Sequence, residues 1–341
     1  MNKVVSIITP SFNRSYIIDE TAQSIFNQTY PHWEWVITDD GSTDDSWQKL
    51  LAYAEHDARV KIYKRDREPK GACICRNIAV EKCTGDYVMF LDTDDVLASF
   101  CLEQRVKAMQ EDSDCDFMIF PMMLFKKQLD DTRLLWNIDK DEDDLHRILI
   151  GDPVCQGTGP LWKKSSFIDV GMWREDLKLW QDIELHIRSL LYPVKYKKQL
   201  HLKPDVFLRI SDDSLSRVGY YASAKMRSRV DVFLYACKEI ETKGSKKKYL
   251  EGLRSMGSDI INSCIISGYK EGVNTLIDVC GSQGLFSNAE LSMFRNYHNA
   301  VRYKIHRIPF LFNRIQRKAH SIIKSKESTV SAIEWQEDVH M

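Results

Sequence analysis

No stretch of the chain approaches the apolar length of a membrane span. Its start, Met1-Asn2-Lys3-Val4-Val5-Ser6-Ile7-Ile8, carries too short an apolar run for a signal peptide and leads straight into a strand pattern. Both absences lead us to expect a cytoplasmic protein. No Gly-x-Gly-x-x-Gly follows the first strand pattern, which argues against a nicotinamide dehydrogenase. No Gly-Lys-Ser/Thr occurs, which argues against a P-loop enzyme. No internal repeat is visible. Neither sign of charge prevails: 48 Lys and Arg face 49 Asp and Glu. No global field therefore draws the chain to nucleic acid. The nine cysteines are an odd number, and no second pair joins Cys73 and Cys75 at zinc spacing. We read them as reduced thiols, mostly buried.

What is present is a chain of 341 residues, long enough for a large core and for one long or two ordinary domains. Its most informative stretch is Tyr87-Val88-Met89-Phe90-Leu91-Asp92-Thr93-Asp94-Asp95. Five apolar residues in a row suit a strand buried on both faces. The chain then turns acidic at once, and carboxylates so close together repel each other unless a cation holds them. Two aspartates one residue apart can bind a hard divalent ion and leave positions open for phosphate oxygens. In open α/β sheets ligands collect at that strand edge. A solvated acidic turn is the competing reading of these residues.

The rest of the first half alternates. Strands are expected at Val4–Thr9, Glu34–Thr38, Val60–Tyr63, Tyr87–Leu91 and Phe117–Phe120. Helices are expected from Ile17 to Phe26, after Ser42, from Gly71 to Ala79 and near Ser99–Gln110. Ser42, three residues before Asp45, resembles a capping box. The alternation implies a parallel sheet with right-handed crossovers. The polar ends Pro10–Asn13, Asp39–Ser42 and Asp92–Asp95 should then share one edge. Residues 126–150 are charged without strong periodicity and predict a surface excursion. From Ala222 the pattern is helical to about Lys326, broken at Gly281–Gly284.

Five motifs in order resemble family 2 glycosyltransferases: Val5-Ser6-Ile7-Ile8-Thr9-Pro10-Ser11-Phe12-Asn13, Asp39-Asp40-Gly41-Ser42-Thr43-Asp44, Arg76-Asn77, Gly85-Asp86-Tyr87 and Phe90-Leu91-Asp92-Thr93-Asp94-Asp95. The resemblance covers about residues 4 to 215. It implies an inverting enzyme that uses a nucleotide-diphosphate sugar, and bacterial polysaccharide biosynthesis. The implied fold class is α/β: a GT-A nucleotide-diphospho-sugar transferase fold, with a mostly parallel Rossmann-like sheet flanked by helices and a C-terminal helical extension. The implied division is a catalytic domain at 1–218, a helical region at 219–326 and a polar tail at 327–341.

The resemblance also assigns roles. Pro10, Phe12 and Asn13 line the nucleoside pocket, although Phe12 equally suits the core. Asp40 accepts from the uracil N3–H, because an imide donor between two carbonyls suits a carboxylate. That leaves Asp39 to cap the turn at Gly41. Arg76 approaches the nucleotide, or else pairs with a loop aspartate. Asp92, Thr93 and Asp94 meet the nucleotide sugar, and Asp94 and Asp92 hold Mn²⁺ or Mg²⁺. Asp95 supports the turn or caps the next helix. The base corresponds to Asp182 in Trp180-Gln181-Asp182. The family's preceding glutamate is Gln181 here, so that position carries no charge. Glu184 is the fallback base. Trp162, Trp180 and Gln181 are acceptor-side candidates, with Trp173 a further aromatic. Lys203 to Ser216 resembles the segment that closes such sites, and His201 is an alternative metal ligand.

The expected acceptor is a glycan or lipid-linked glycan. Between Leu291 and Lys326 no Asp or Glu occurs, while Arg and Lys recur. Ile308, Leu311, Phe312, Ile315, Ala319 and Ile322 share one helical face. The span 305–326 therefore reads as a helix for an anionic membrane surface, or as one packed on the catalytic domain. Two other functions compete. A nucleotidyltransferase would need basic residues near the first strand, and only Arg14 is there. An inactive glycan-binding protein would not need Asp92, Asp94 and Asp182 intact.

Overall fold

The computed structural model describes residues 3–211, 218–305 and 309–322. The chain begins β1 (Val5–Ser11), α1 (Ile18–Phe26), β2 (Trp33–Asp39), α2 (Ser46–His56), β3 (Val60–Lys64), α3 (Ala72–Lys82) and β4 (Tyr87–Phe90). It continues through β5 (Val96–Leu97), α4 (Cys101–Glu111), β6 (Phe117–Ile119), β7 (Met122–Phe125), β8 (Leu134–Leu135) and α5 (Asp144–Leu149). Then come β9 (Pro160–Lys163), α6 (Lys164–Asp169), α7 (Gln181–Leu191), β10 (Tyr196–Lys198) and β11 (Val206–Arg209). The last helices are α8 (Ser223–Thr242), α9 (Lys246–Ser267), α10 (Lys270–Ser282), α11 (Asn288–Arg302) and α12 (Pro309–His320).

The main sheet has seven strands in the order β10-β6-β9-β4-β1-β2-β3. Its pairs are parallel except at β9, which runs antiparallel to both β4 and β6. Side chains of a strand alternate between faces, and here both faces are covered. Val5, Ile7, Trp35, Ile37, Met89 and Leu91 enter one apolar layer. Ile8, Val36, Val88 and Phe90 enter the other. The register pairs Ile8 with Phe90 and Ser11 with Asp39. The carboxyl ends of β1, β2 and β4 therefore meet at one edge, as the alternation implies.

A second sheet of four strands, β5-β11-β7-β8, stands beside that edge. Asp95 links the two. Its buried carboxylate accepts from the Arg209 amide at 3.1 Å, at the end of β11. The Thr21 hydroxyl, on α1, donates to the Asp95 carbonyl at 2.8 Å. Asp95 thus supports the turn, and the element that follows it is β5 rather than a helix. A fully buried pair, Arg105 with Asp205, ties α4 to the segment before β11 through contacts of 2.9 and 2.7 Å.

The helices after residue 222 do not bury their apolar faces only against one another. They share one core with Leu145, Ile148 and Leu149 of α5 and with Ile187 of α7. Residues 126–150 therefore include a docked helix and not only an excursion. The expected break near Gly281–Gly284 separates α10 from α11; two further breaks fall at Gly244 and Gly268, both at positive φ. The capping box expected at Ser42 is absent, because α2 starts at Ser46 with Asp45 at its N-cap. Ser42 instead donates to Asp39 and accepts from the Asn13 amide at 2.9 Å. All nine cysteines are buried and unpaired.

Candidate active site

The site is assembled where β1, β2 and β4 end. After β2, Asp39 turns inward and accepts from the amides of Gly41 and Ser42 at 3.0 and 2.9 Å. Gly41 has φ +84°, which an L side chain rarely adopts. Asp39 therefore holds the turn and Asp40 is left with another task. Asp40 is nevertheless engaged. Its Oδ1 accepts from Arg65 Nε at 2.6 Å, and Arg65 also reaches Glu68 Oε1 at 2.8 Å. The sequence reading did not single out Arg65, because charge in the loop after β3 carries no periodic signal.

At the end of β1, Phe12 is not core: it is exposed, and Lys70 Nζ lies 3.5 Å over its ring. Pro10 is half-buried. Asn13 has φ 52°, and its side-chain oxygen accepts from the Thr43 amide at 2.8 Å. Asn13 thus clamps the β1 and β2 loops together.

At the end of β4, Asp92 keeps its side chain 44% exposed and accepts from Arg76 Nη2 at 2.6 Å. Thr93 is buried beside it. Arg76 is reached from α3 and lies 4.9 Å from the centre of the Trp173 ring. Burial works against its charge, but Asp92, Cys73 and Asp182 together outweigh it and raise its pKa. Its Nε is buried with no partner among the described residues. The loop bond expected as an alternative for Arg76 is therefore present, with donor capacity to spare. Next to Arg76, Asn77 bonds the backbone of Trp173 in both directions, at 2.8 and 3.1 Å, and fixes the loop that carries this tryptophan.

The Asp94 carboxyl is pushed above the usual range by burial and by the negative charge of Asp92, while Arg14 and Arg209 act the other way. Two like charges held this close, with hard oxygen donors, match a divalent cation whose remaining ligands come from a diphosphate. Among the described residues no group of three or more His, Cys, Asp or Glu is gathered for a metal, so any ion there would need outside ligands. His201 does not join this site. It lies on a surface groove beside α4 with Phe100, Glu103 and Lys107.

Asp182 sits in the first turn of α7 and is half-buried. Burial raises its pKa, the Ile183 amide at 2.9 Å and Arg76 draw it down, and Asp92 raises it further. Asp182, Arg76 and Asp92 are thus mutual electrostatic neighbours although they come from three elements. Glu184 is elsewhere: it is fully buried and bonded twice to Arg188 at 2.9 Å. It cannot serve as a fallback base.

The aromatic candidates separate. Trp162 is fully buried between β4 and β6 and stacks on Phe117 at 3.9 Å, so it is core and not acceptor-side. Trp173 is also buried, edge-on to Phe90 at 5.0 Å. Trp180 is half-buried at the start of α7, in the left-handed region with φ 62°. The Arg229 guanidinium, from α8, covers one face of its ring at 4.4 Å. Gln181 donates to the Leu177 carbonyl at 3.2 Å. Of the segment Lys203 to Ser216, expected to close the site, residues 212–216 lie outside the described residues.

Residues 6–171 match the family described as glycosyl transferase family 2. This part of the chain belongs to that family. TuaG of Bacillus subtilis (strain 168), named as a glycosyltransferase of teichuronic acid biosynthesis, is 41% identical over 114 residues, which are 33% of this chain and 44% of TuaG. WfgD of Escherichia coli, named as a UDP-Glc:alpha-D-GlcNAc-diphosphoundecaprenol beta-1,3-glucosyltransferase, is 36% identical over 106 residues, 31% of this chain and 41% of WfgD. The aligned part therefore spans less than half of either relative. Among solved structures, S. aureus TarS 1-349 in complex with UDP-GlcNAc superposes with a TM-score of 0.67 at 19% identity, covering 94% of this chain and 90% of that one. The shared architecture is the GT-A fold with helices after it.

Proposed function

We propose that this protein is an inverting glycosyltransferase that moves a sugar from a UDP-sugar to an acceptor hydroxyl during cell-surface polysaccharide synthesis. The observation that carries the reading is the convergence of Arg76, Asp92 and Asp182 beside Asp94, at the carboxyl edge of the sheet. The relatives' names and the UDP-GlcNAc complex of TarS support the donor class. Asp94 and Asp92 would hold Mn²⁺ or Mg²⁺. Such an ion neutralises the diphosphate and the charge that develops as the sugar departs. Arg76, with its unpartnered Nε, adds a fixed positive charge at the phosphate side. Asp40 and Arg65 present an acceptor and several donors to the nucleobase edge. Asp182 takes the proton of the attacking hydroxyl, and its pKa, raised by burial, makes it a stronger base than an exposed carboxylate.

WfgD's name describes a lipid-diphosphate-linked acceptor, and that class is our proposal for this chain's acceptor. Such an acceptor places the protein at the inner face of the cytoplasmic membrane. No helix among the described residues is long and apolar enough to cross a membrane. The apolar stripe expected to meet lipid is largely spent: Phe312, Ile315 and Ile322 pack on the helical core and Ala319 is fully buried. What faces outward on α12 is Phe310, 83% exposed, with Leu311, Arg314, Arg317 and Lys318. That edge is the surface we assign to an anionic leaflet. Residues 306–308, Ile308 among them, and residues 323–326 of the expected span lie outside the described residues.

The test of the site is metal dependence. Mn²⁺ with a UDP-sugar should raise the melting temperature and support turnover, EDTA should remove both reversibly, and Asp94→Ala should abolish turnover in a folded protein. Full turnover in EDTA would reject the metal assignment.

A further inference from the structure

One face of α10 carries Lys270, Asn274 and Asp278, at spacings of four. One face of α11 carries Arg295, His298, Asn299 and Arg302, at i, i+3, i+4 and i+7. These two faces meet and line a groove of about 310 Å³, with Ile277 as its only apolar residue. None of these residues belongs to the site described above. The apolar faces of the two helices are buried beneath, and the groove's polar side chains are exposed except for the half-buried His298. The groove holds three cations, two amides, an imidazole and a single carboxylate.

The cations are poorly compensated. Arg295 stands 4.0 Å from Asp278, at the outer limit of an ion pair. Lys270 and Arg302 have no carboxylate partner among the described residues. His298 Nε2 is buried with no partner among them either. Burial, Arg302 and Lys270 all push the His298 pKa down, so the ring is held neutral in a field of positive charge. Three exposed cations border a half-buried imidazole whose Nε2 is unsatisfied, an arrangement that favours an anion in the groove.

We propose that this groove is a binding site for a phosphate group, in the form of a phosphate mono- or diester. Guanidinium forks from Arg295 and Arg302 match phosphate oxygens in pairs, and Lys270 adds a point charge. His298 and the amides of Asn274 and Asn299 supply neutral donors. The same chemistry is offered by an anionic lipid headgroup and by a soluble phosphate ester. The site is independent of sugar transfer, and its failure would leave the catalytic reading untouched.

The experiment reads the His298 ring by NMR, assigned with His298→Asn. Inorganic phosphate is titrated against chloride at equal ionic strength. A bound anion favours the imidazolium, so the His298 pKa should rise by roughly one pH unit in phosphate. The Arg295→Gln/Arg302→Gln double variant should lose that rise while keeping its melting temperature. If the double variant melts early, Lys270→Gln carries the same comparison. A His298 pKa that is the same in phosphate and chloride would overturn the proposal. A second arm identifies the source. Flotation with phosphatidylglycerol vesicles, lost in the variant and absent with phosphatidylcholine, assigns a lipid headgroup. A phosphate response with flotation equal in wild type and variant assigns a soluble ester.

Discussion

The guanidinium of Arg229 lies 4.4 Å over the indole of Trp180, two residues before Asp182. Arg229 belongs to the C-terminal helices and is fully buried, with Nε and Nη1 unpartnered among the described residues. Trp180 holds φ 62°, a conformation that a bulky side chain adopts only when its surroundings enforce it. Such a cation over an indole contributes about 1–2 kcal/mol. The helical region thus fixes the residue that starts α7 and, through it, the position of Asp182. We predict that Arg229→Met lowers kcat by about tenfold, the equivalent of about 1.4 kcal/mol in the barrier, with little change in donor KM. Arg229→Lys should recover part of the loss. Unchanged kcat together with a lower melting temperature would make Arg229 a packing residue only.

The nucleobase should be read by the Asp40–Arg65 pair. UDP should then raise the melting temperature more than GDP or ADP does. Asp40→Ala should weaken UDP binding by about 1–3 kcal/mol, the size of a lost charged hydrogen bond. Titration calorimetry checks this, and equal affinity for the three nucleotides would remove the uracil assignment.

The parallel sheet could be read from the alternation of apolar runs and helical spacing, and the acidic strand end from Asp92-Thr93-Asp94-Asp95. Both signals are local. What could not be read depends on distant partners. Trp162 is core because β9 inserts antiparallel between β4 and β6, which nothing in its own neighbourhood announces. The stripe on α12 guarantees an apolar face but not what covers it, and the cover is the helical core. Arg65 matters through its pair with Asp40 and Arg229 through its pair with Trp180, each joining distant parts of the chain. Helical spacing turns Glu184 away from Asp182, but does not by itself say that Arg188 claims both its oxygens.

Stability against acid should depend on Glu34. This carboxylate belongs to β2, is buried, and accepts from Ser6 Oγ at 2.7 Å and the Gly85 amide at 3.0 Å, with Lys61 and Thr84 as further donors. Burial alone would raise its pKa, but these donors bring it down to about 2. A carboxylate with a depressed folded pKa stabilises above its unfolded pKa. That contribution disappears as pH falls from about 4.5 toward 2. Glu34→Gln should destabilise the protein by roughly 2–3 kcal/mol at pH 7 and by less near pH 3. Denaturant unfolding at the two pH values measures the difference, and an equal loss at both would show that charge is not the cause.

The most direct test of the catalytic account is Asp182→Asn. The donor chosen by thermal shift is supplied with Mn²⁺ and a diphosphate-linked GlcNAc lipid as acceptor, and UDP release is followed against pH. A positioned base contributes about 10²–10⁴-fold. The wild type should lose kcat as pH falls through a pKa above the usual carboxylate range, because burial raises Asp182 and only its ionised form accepts the proton. The variant should bind donor and Mn²⁺ as the wild type does, turn over about 10²–10⁴-fold more slowly, and show no such acid limb. Turnover by folded Asp182→Asn within a few-fold of wild type, with the acid limb intact, would contradict the account.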